Sequence, residues 1–370
     1  MKILSLPVET LSKPLHAVIG VVERKQTLPI LSNVMVSIKD NQLSITGTDT
    51  EVEIIGKTNM IGEGIALDGI TLPGRKLADI CRALPDNASI ELYQDQHKIT
   101  LHSGRSRFTL ASLPADQFPN IDMQPGYLSF TIPQNQLKTL FQRTYFAMAQ
   151  QDVRYYLNGL LLEINDHHLT AVATDGHRLA LNSTPIHCPE TKKTTIILPR
   201  KGVIELLRLL NDTETEIGIT FSQGHIHINS SDFSFTSKLV EGQFPDYTRV
   251  IPRNGNKTIL IDKDQLKDAL LRSAILSNEK YKGVRFELNN NLLKISSNNP
   301  EQESAEEEIV IDYKGEPLDI GFNVSYIIDV LNTIAAGNVK ITLLDTSSSA
   351  LIEQEQHEHP SCYVVMPMRL

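Results

Sequence analysis

The chain has 370 residues, 41% of them hydrophobic and 21% charged, which is ordinary for a soluble globular protein and enough for two or three cores. It has no run of about 18 apolar residues for a membrane helix, no basic-then-apolar start for a signal peptide, and three distant cysteines without a C-x-x-C pair, so a membrane span, a leader, a disulfide framework and a cysteine zinc site are not expected and a reducing cytoplasm fits. The net charge of −9, taken as a sum, speaks against a nucleic-acid partner, and the lack of tryptophan with only 6% aromatics disfavours a single-strand stacking platform.

In chain order, one unit recurs three times. An amphipathic helix over 9–25 leads into strands such as Val34–Ile38, where apolar and polar residues alternate, and these end at a turn at Thr48-Asp49. A second helix, 75–84, follows Pro73, a position where proline is tolerated ahead of a helix start, and the segment DQFPN closes the unit at 116–120. After PGYLS the pattern restarts with a helix over 134–149, whose Leu137, Phe141, Thr144 and Met148 share a face. Strands then reach Thr174-Asp175, a basic helix follows over 200–210, and GQFPD stands at 242–246. After PRNGNK come a helix over 263–277, strands ending at Asn298-Asn299, and a helix over 323–336. Asp49 and Asp175 are 126 apart, as are the two Q-F-P segments, and Asp175 to Asn299 is 124. Several markers that hold one offset point to internal repetition. The reading is α+β, three domains over 1–127, 128–254 and 255–370, each with two helices packed on antiparallel sheets.

Charge is unevenly distributed. The six expected helices carry a net +7, against −9 for the whole chain, which leaves −16 for strands and loops. Basic helices on an acidic scaffold suggest one positive surface that meets phosphates. Lys201 and Arg208, seven apart, share a helix face opposite Val203, Leu207 and Leu210. No helix-turn-helix, zinc finger or basic-zipper pattern occurs, so phosphate contact without base reading is expected, which suits sliding.

Enzyme readings find little support. ATDGHRLA at 173–180 holds Asp175 and His177, but no G-x-S-x-G, H-E-x-x-H or G-x-x-x-x-G-K-[ST] occurs. The same place in repeats one and three reads TDT and NNP, so a structural turn common to the repeats explains the aspartate. His225/His227 and His357/His359 are i, i+2 pairs without ligand spacing. No catalytic residue, metal or cofactor is expected. The residues alone leave open a phosphate-contacting protein that slides without reading sequence and, beside it, three independent α+β domains whose basic residues merely solubilise exposed helix faces, with a nucleic-acid hydrolase a distant third.

The chain resembles the bacterial DNA polymerase III beta subunits, the β sliding clamps, over its whole length. The resemblance rests on TLPIL at 27–31, SGRSRF at 103–108, QDVRYYLNG at 151–159, ATDGHRLA, FTSKLVEGQFPDY at 235–247, ILSNEKYKGVR at 275–285, NNPEQE at 298–303 and YVVMPMRL at 363–370. It implies three clamp-type domains per chain and a head-to-tail homodimer, a six-domain ring with helices inside. Twelve inner helices at roughly 10 Å each give a ring of axes about 38 Å across and a hole of about 28 Å, wide enough for duplex DNA. The implied partners are duplex DNA, the polymerase III catalytic subunit, an ATP-driven clamp loader, and other polymerases and repair proteins carrying clamp-binding peptides.

Three sites follow. For the DNA-facing lining the resemblance implies Lys25, Arg75, Lys76, Gln151, Tyr155, Tyr156 and Lys201. Charge and helix position add Lys138, Arg143, Arg200 and Arg208, with Arg24 beside Lys25. The loop at 21–26 also holds Glu23, and helix 323–336 lacks the basic pair of its two counterparts. For a peptide-binding pocket the resemblance implies Arg154, Leu157, Thr174, Gly176, His177, Arg178, Leu179, Pro245, Arg249, Val250, Asn323, Tyr326, Ser347 and Ser349. The same site takes Val364, Val365, Met366, Pro367, Met368, Arg369 and Leu370, an apolar C-terminus in which methionine offers an adaptable surface. For the ring interface it implies Arg105, Arg107, Phe108, Leu110 and Lys76 on one edge. Facing them would be Ile275, Leu276 and the acidic run Glu301, Glu303, Glu306 and Glu307, to which Glu308 belongs.

Overall fold

The structure, a computed structural model, describes residues 1–23, 28–122, 124–188, 193–355 and 361–369. One order of elements occurs three times: strand, helix, four strands, helix, three strands, with an extra two-residue strand, Glu63–Gly64, in the first copy. The helices are α1 (Val8–Val18), α2 (Gly74–Ala83), α3 (Gln134–Gln142), α4 (Arg200–Leu209), α5 (Lys263–Ala274) and α6 (Val324–Thr333). The α+β reading and the repetition therefore hold, while several helix ends do not.

α1 stops at Val18, not at residue 25, and Arg24 and Lys25 lie outside the described residues. α3 stops at Gln142, because Thr144 leaves the helical region (φ −129°) and its hydroxyl donates to the Leu140 carbonyl at 2.8 Å in place of continuing the ladder. α5 ends three residues early. α6 starts where the Asn323 side chain accepts from the Ser325 amide, an ordinary N-cap. With these bounds α1 is neutral, α2 and α4 each carry +2, α3 and α5 each +1, and α6 −1. The basic character is thus concentrated in the middle helices.

The chain packs as two compact units. The first comprises Met1–Leu137, His187–Glu190 and Lys201–Leu239. Its eight-stranded antiparallel sheet runs in the order 126–133, 216–222, 225–229, 233–238, 52–59, 42–48, 33–39, 67–73, so strands of the first two repeats share one sheet. α1 lies on this sheet through Leu11, Leu15 and Val18, all fully buried and spaced four and three apart. The approach is close: a Cβ on Gly56 would sit 2.4 Å from the carbonyl oxygen of Pro14, inside α1. α4 turns Val203, Leu206 and Leu209 inward, and Leu210 just beyond it is buried as well. Leu207, expected in the core, is only half buried, and the helix buries Glu205 instead. A five-stranded sheet (63–64, 2–7, 89–95, 98–103, 106–111) completes the unit.

The second unit comprises Lys138–Ile186, Thr191–Arg200 and Val240–Leu370. Its eight-stranded sheet runs 194–199, 159–165, 168–174, 178–185, 362–365, 350–354, 338–343, 257–262, and a four-stranded sheet runs 304–310, 292–298, 283–289, 318–323. The C-terminal strand Cys362–Val365 inserts between Arg178–Pro185 and Ala350–Gln354, pairing Leu179 with Val364 and Arg178 with Val365. That insertion joins segments nearly two hundred residues apart and sets Val364 beside Leu179.

Candidate functional sites

The first site grows from a turn. Asp175 accepts the amides of His177 (2.9 Å) and Arg178 (3.0 Å) through Oδ1. Thr174 Oγ1 donates to the Arg178 carbonyl at 2.6 Å and accepts from the Gly176 amide. Gly176 takes φ +87°, which a glycine adopts without steric cost. The turn delivers Arg178 and Leu179 into a strand. The Arg178 guanidinium is 12% exposed and fully engaged: Nε to Asp175 (3.1 Å), Nη1 to Asp329 of α6 (2.5 Å) and Nη2 to the Phe146 carbonyl (3.0 Å). It lies over the rings of Phe146 (5.4 Å) and Tyr326 (4.5 Å).

Beside it opens a cavity of about 970 Å³. Its apolar floor is Leu157, Leu179, Phe244 and Val364, all buried. Of the residues expected in a peptide pocket, the lining includes Arg154, Leu157, Thr174, Gly176, Arg178, Leu179, Pro245, Arg249, Val250, Ser347, Ser349, Val364 and Met366. The others stand apart from it. Val365 is buried on the opposite face of the strand, the face of Tyr363, as strand alternation requires. His177 stacks on Tyr326 at 6.4 Å, and Asn323 caps α6. Met368 bridges to Gly321, which carries Pro367, Met368 and Arg369 along the 318–323 strand edge. Leu370 lies outside the described residues.

Sequence reasoning missed the wall formed by residues 251–255, together with Phe244, Asp246, Tyr247, Thr248, Leu344 and Ser348. The repeated Q-F-P segment was the available signal, since it places Phe244 where its counterpart Phe118 fills a cluster with Ile30 and Leu31. The wall is tied to the sheet by the Tyr247 hydroxyl, which donates to Glu163 at 3.2 Å. Burial and the Glu163 carboxylate push the Tyr247 phenol up to about 12. At the rim the Arg154 guanidinium holds the Asp152 carboxyl down at about 2.

The expected lining residues divide between the units. In the first, Lys76 is exposed, and Arg75 donates through Nε to the Val22 carbonyl at 2.8 Å. Lys201 is half buried and paired with both Asp49 (2.5 Å) and Glu23 (2.6 Å). Burial pulls its ammonium pKa down, but the two carboxylates outweigh this and leave it above the ordinary lysine value. Arg208 pairs with the buried Glu205 at 3.2 Å. In the second unit Lys138 lies half buried on α3, Arg143 Nη1 reaches Ser361 Oγ at 3.5 Å, and Arg200 donates to the Met148 carbonyl at 3.1 Å. Gln151 sits at φ +57° in an exposed loop. Tyr155 in the same loop is 58% exposed, and its ring meets the Tyr156 ring edge-on.

Each of the four sheets ends in edge strands with a neighbour on one side, and two of these edges carry the residues expected at a ring interface. Ser106–Ala111 ends the five-stranded sheet, with Arg105 and Arg107 exposed, Phe108 half buried and Leu110 buried. Ser304–Val310 ends the four-stranded sheet, with Val310 at 82% and, at the end of α5, Ile275 at 75% exposure beside a half-buried Leu276. The acidic run is partly neutralised within the chain: Glu307 accepts Arg272 at 2.7 Å and Glu306 accepts Lys294 at 2.8 Å. Glu303 holds Asn299, and Glu301 is exposed.

Elsewhere the chemistry is muted. Cys81 is buried, which pushes its thiol up to about 11, and burial pushes the half-buried Cys362 up to about 12, the signature of inert structural cysteines. His227 is buried between Ser222 and Thr236 in the sheet. No helix among the described residues is long and apolar enough to cross a membrane.

Comparison with known proteins gives one answer along the chain. Residues 3–122, 131–246 and 248–369 match the sequence profiles of the DNA polymerase III beta subunit's N-terminal, central and C-terminal domains. The beta sliding clamp of Pseudomonas aeruginosa is 53% identical over 363 residues, 98% of each chain, and that of Escherichia coli K12 is 47% identical over 362 residues, again 98% of each. A Pseudomonas aeruginosa DnaN sliding clamp solved bound to griselimycin superposes with a TM-score of 0.96 at 51% identity, covering 100% of both chains.

Proposed function

This chain belongs to the DNA polymerase III beta subunit family, the bacterial sliding clamps, and from that premise we propose how its own residues carry out the work of a clamp. A sliding clamp is a non-catalytic processivity factor. It encircles duplex DNA without reading sequence and tethers the replicative polymerase and other DNA-processing proteins through a hydrophobic pocket.

Two copies close head to tail. The observation that carries this reading is the pair of one-sided strand edges, the 106–111 edge flanked by Arg105 and Arg107 and the 304–310 edge bearing Glu306, Glu307 and Glu308. Each edge offers unpaired backbone donors and acceptors that a second copy can satisfy, and a heterologous contact of this kind gives a ring when its rotation closes. Exposed Ile275 and Val310 supply the apolar contact that holds the seam, since exposed ion pairs contribute only about 1 kcal/mol each. Lys76 lies on the basic side of that seam.

The basic helix residues, with Arg24 and Lys25, form the inner lining and meet phosphates; α6 has no basic residue to offer them. The cavity beside Arg178 receives the apolar peptides of clients, among them the polymerase III catalytic subunit and repair polymerases. The repeats correspond to domains 1–127, 128–254 and 255–370. Loading requires a separate ATP-driven loader, and the protein works in the cytoplasm.

Solution mass is the first test. A species of twice the 41.3 kDa chain mass that persists on dilution, stays on nicked circular DNA after loading and leaves when the circle is cut supports the ring. A stable monomer, or equal loss from circles and lines, overturns it in favour of a peptide-binding scaffold.

A further inference from the structure

Arg178 lines the cavity, and its guanidinium engages α6. There it meets a prepared face. Tyr326 and Asp329 are i, i+3 neighbours on α6 and so lie on one side of the helix. Tyr326 gives its ring to the guanidinium at 4.5 Å, and Asp329 gives a carboxylate oxygen at 2.5 Å. A guanidinium that is 12% exposed needs such partners, because an unpaired buried charge is costly. The backbone of the same residue serves the pocket. The Arg178 carbonyl accepts Thr174 Oγ1, Arg178 pairs across the strands with Val365, and the next pair, Leu179 with Val364, is the cavity floor.

The geometry points to Asp329 as a positioning residue of the client pocket: by anchoring the Arg178 side chain on α6, it sets the backbone register that presents Leu179 and Val364 to an apolar ligand. The inference rests on the cavity being the client site. It also gives α6 a role consistent with its charge. The helix that carries no basic residue braces the protein-binding pocket, and its single acid is the brace. Asp175 alone does not suffice, because its Oδ1 is committed to the turn amides and only Oδ2 reaches Nε, which leaves the Nη1 side of the guanidinium to Asp329.

The test uses the full chain and griselimycin as probe, with affinity read by calorimetry. Asp329→Asn keeps the size and removes the charge; the expected result is affinity about tenfold weaker, with solution mass as in wild type and a lowered but still single, cooperative melting transition. Asp329→Glu restores binding to within about twofold. Arg178→Met also weakens binding, and adding Asp329→Asn to it produces no further loss, because the two act through one interaction. Wild-type affinity in Asp329→Asn, or losses that multiply in the double variant, overturns the proposal alone. Wild-type protein that binds no griselimycin overturns the pocket reading and this proposal with it.

Discussion

The turns at 48–52 and 174–178 are two copies of one device with opposite consequences. In both, a threonine hydroxyl donates to the carbonyl four residues on, Thr48 to Val52 and Thr174 to Arg178. In both, an aspartate Oδ1 accepts two amides, and the residue between takes a left-handed φ, +78° at Thr50 and +87° at Gly176. What emerges from the turn differs. In the first unit it is Val52, 1% exposed, which goes into the core, and Asp49 uses its other oxygen on Lys201. In the second it is Arg178, and Asp175 uses its other oxygen on that arginine. One turn therefore seats an apolar core strand, and the other seats a buried guanidinium whose neighbours make a cavity wall. The hydrogen-bonded frame is indifferent to the residue it delivers; the surrounding elements decide what that residue can do.

Exchanging the delivered residues breaks the comparison most severely. Val52→Arg places a charge in the core with no acid arranged for it and is expected to cost about 3–5 kcal/mol, read as a lowered urea midpoint. Arg178→Val, the reverse change, is expected to cost only about 1–2 kcal/mol, since Asp175 and Asp329 can reach solvent, yet to weaken griselimycin binding about tenfold. Similar stability losses in the two variants would show that the buried charge is not what separates the turns.

The lysine of α4 that pairs with the first turn sharpens the contrast at smaller amplitude. Removing one cation that meets a phosphate lowers the salt slope of duplex affinity by about 0.9. Lys76→Gln, at an exposed position, is expected to show that full decrease, whereas Lys201→Met is expected to show a smaller one, because Asp49 and Glu23 already occupy its ammonium. Affinity measured across a salt series on short duplexes checks both, and equal slope changes would mean that DNA displaces the carboxylates.

The smallest effect concerns the wall of the second unit. The phenol of an unfolded chain ionises near pH 10, while that of Tyr247 is pushed up to about 12. Between those values the unfolded chain gives up a proton that the folded chain keeps, so this group's contribution to stability is present below about pH 10 and is lost as pH rises toward 12. Tyr247→Phe should remove that part of the alkaline loss, seen as a flatter melting midpoint across pH 10–12; an unchanged slope would mean that burial and Glu163 do not raise the phenol.

Much of the molecule is legible in its sequence. The offset of about 126 residues between markers is carried by residues with local work: Asp49 and Asp175 close turns, and Phe118 and Phe244 fill hydrophobic sockets. Local work leaves a local signature, so the repeats, the six helices and the strand-rich α+β class emerged from the residues themselves. Helix ends were less legible. Thr144 ends α3 by bonding back to Leu140, a competition that apolar spacing does not register. Leu206, not Leu207, faces the core of α4, because one residue of phase separates two leucines of equal hydrophobicity.

Sequence alone, then, determined the repetition, the family and the residue types gathered near each turn, since these depend on order along the chain and on chemistry that acts within a few residues. Tertiary structure decided the rest. It placed Val364 beside Leu179 through a strand inserted from the far end of the chain, turned Val365 away from the cavity, and gave Lys201 two carboxylate partners. It also brought Asp329 to Arg178 across 151 positions. Such pairings depend on where strands insert and which helix face turns inward, and these emerge only when distant segments compete for the same buried space.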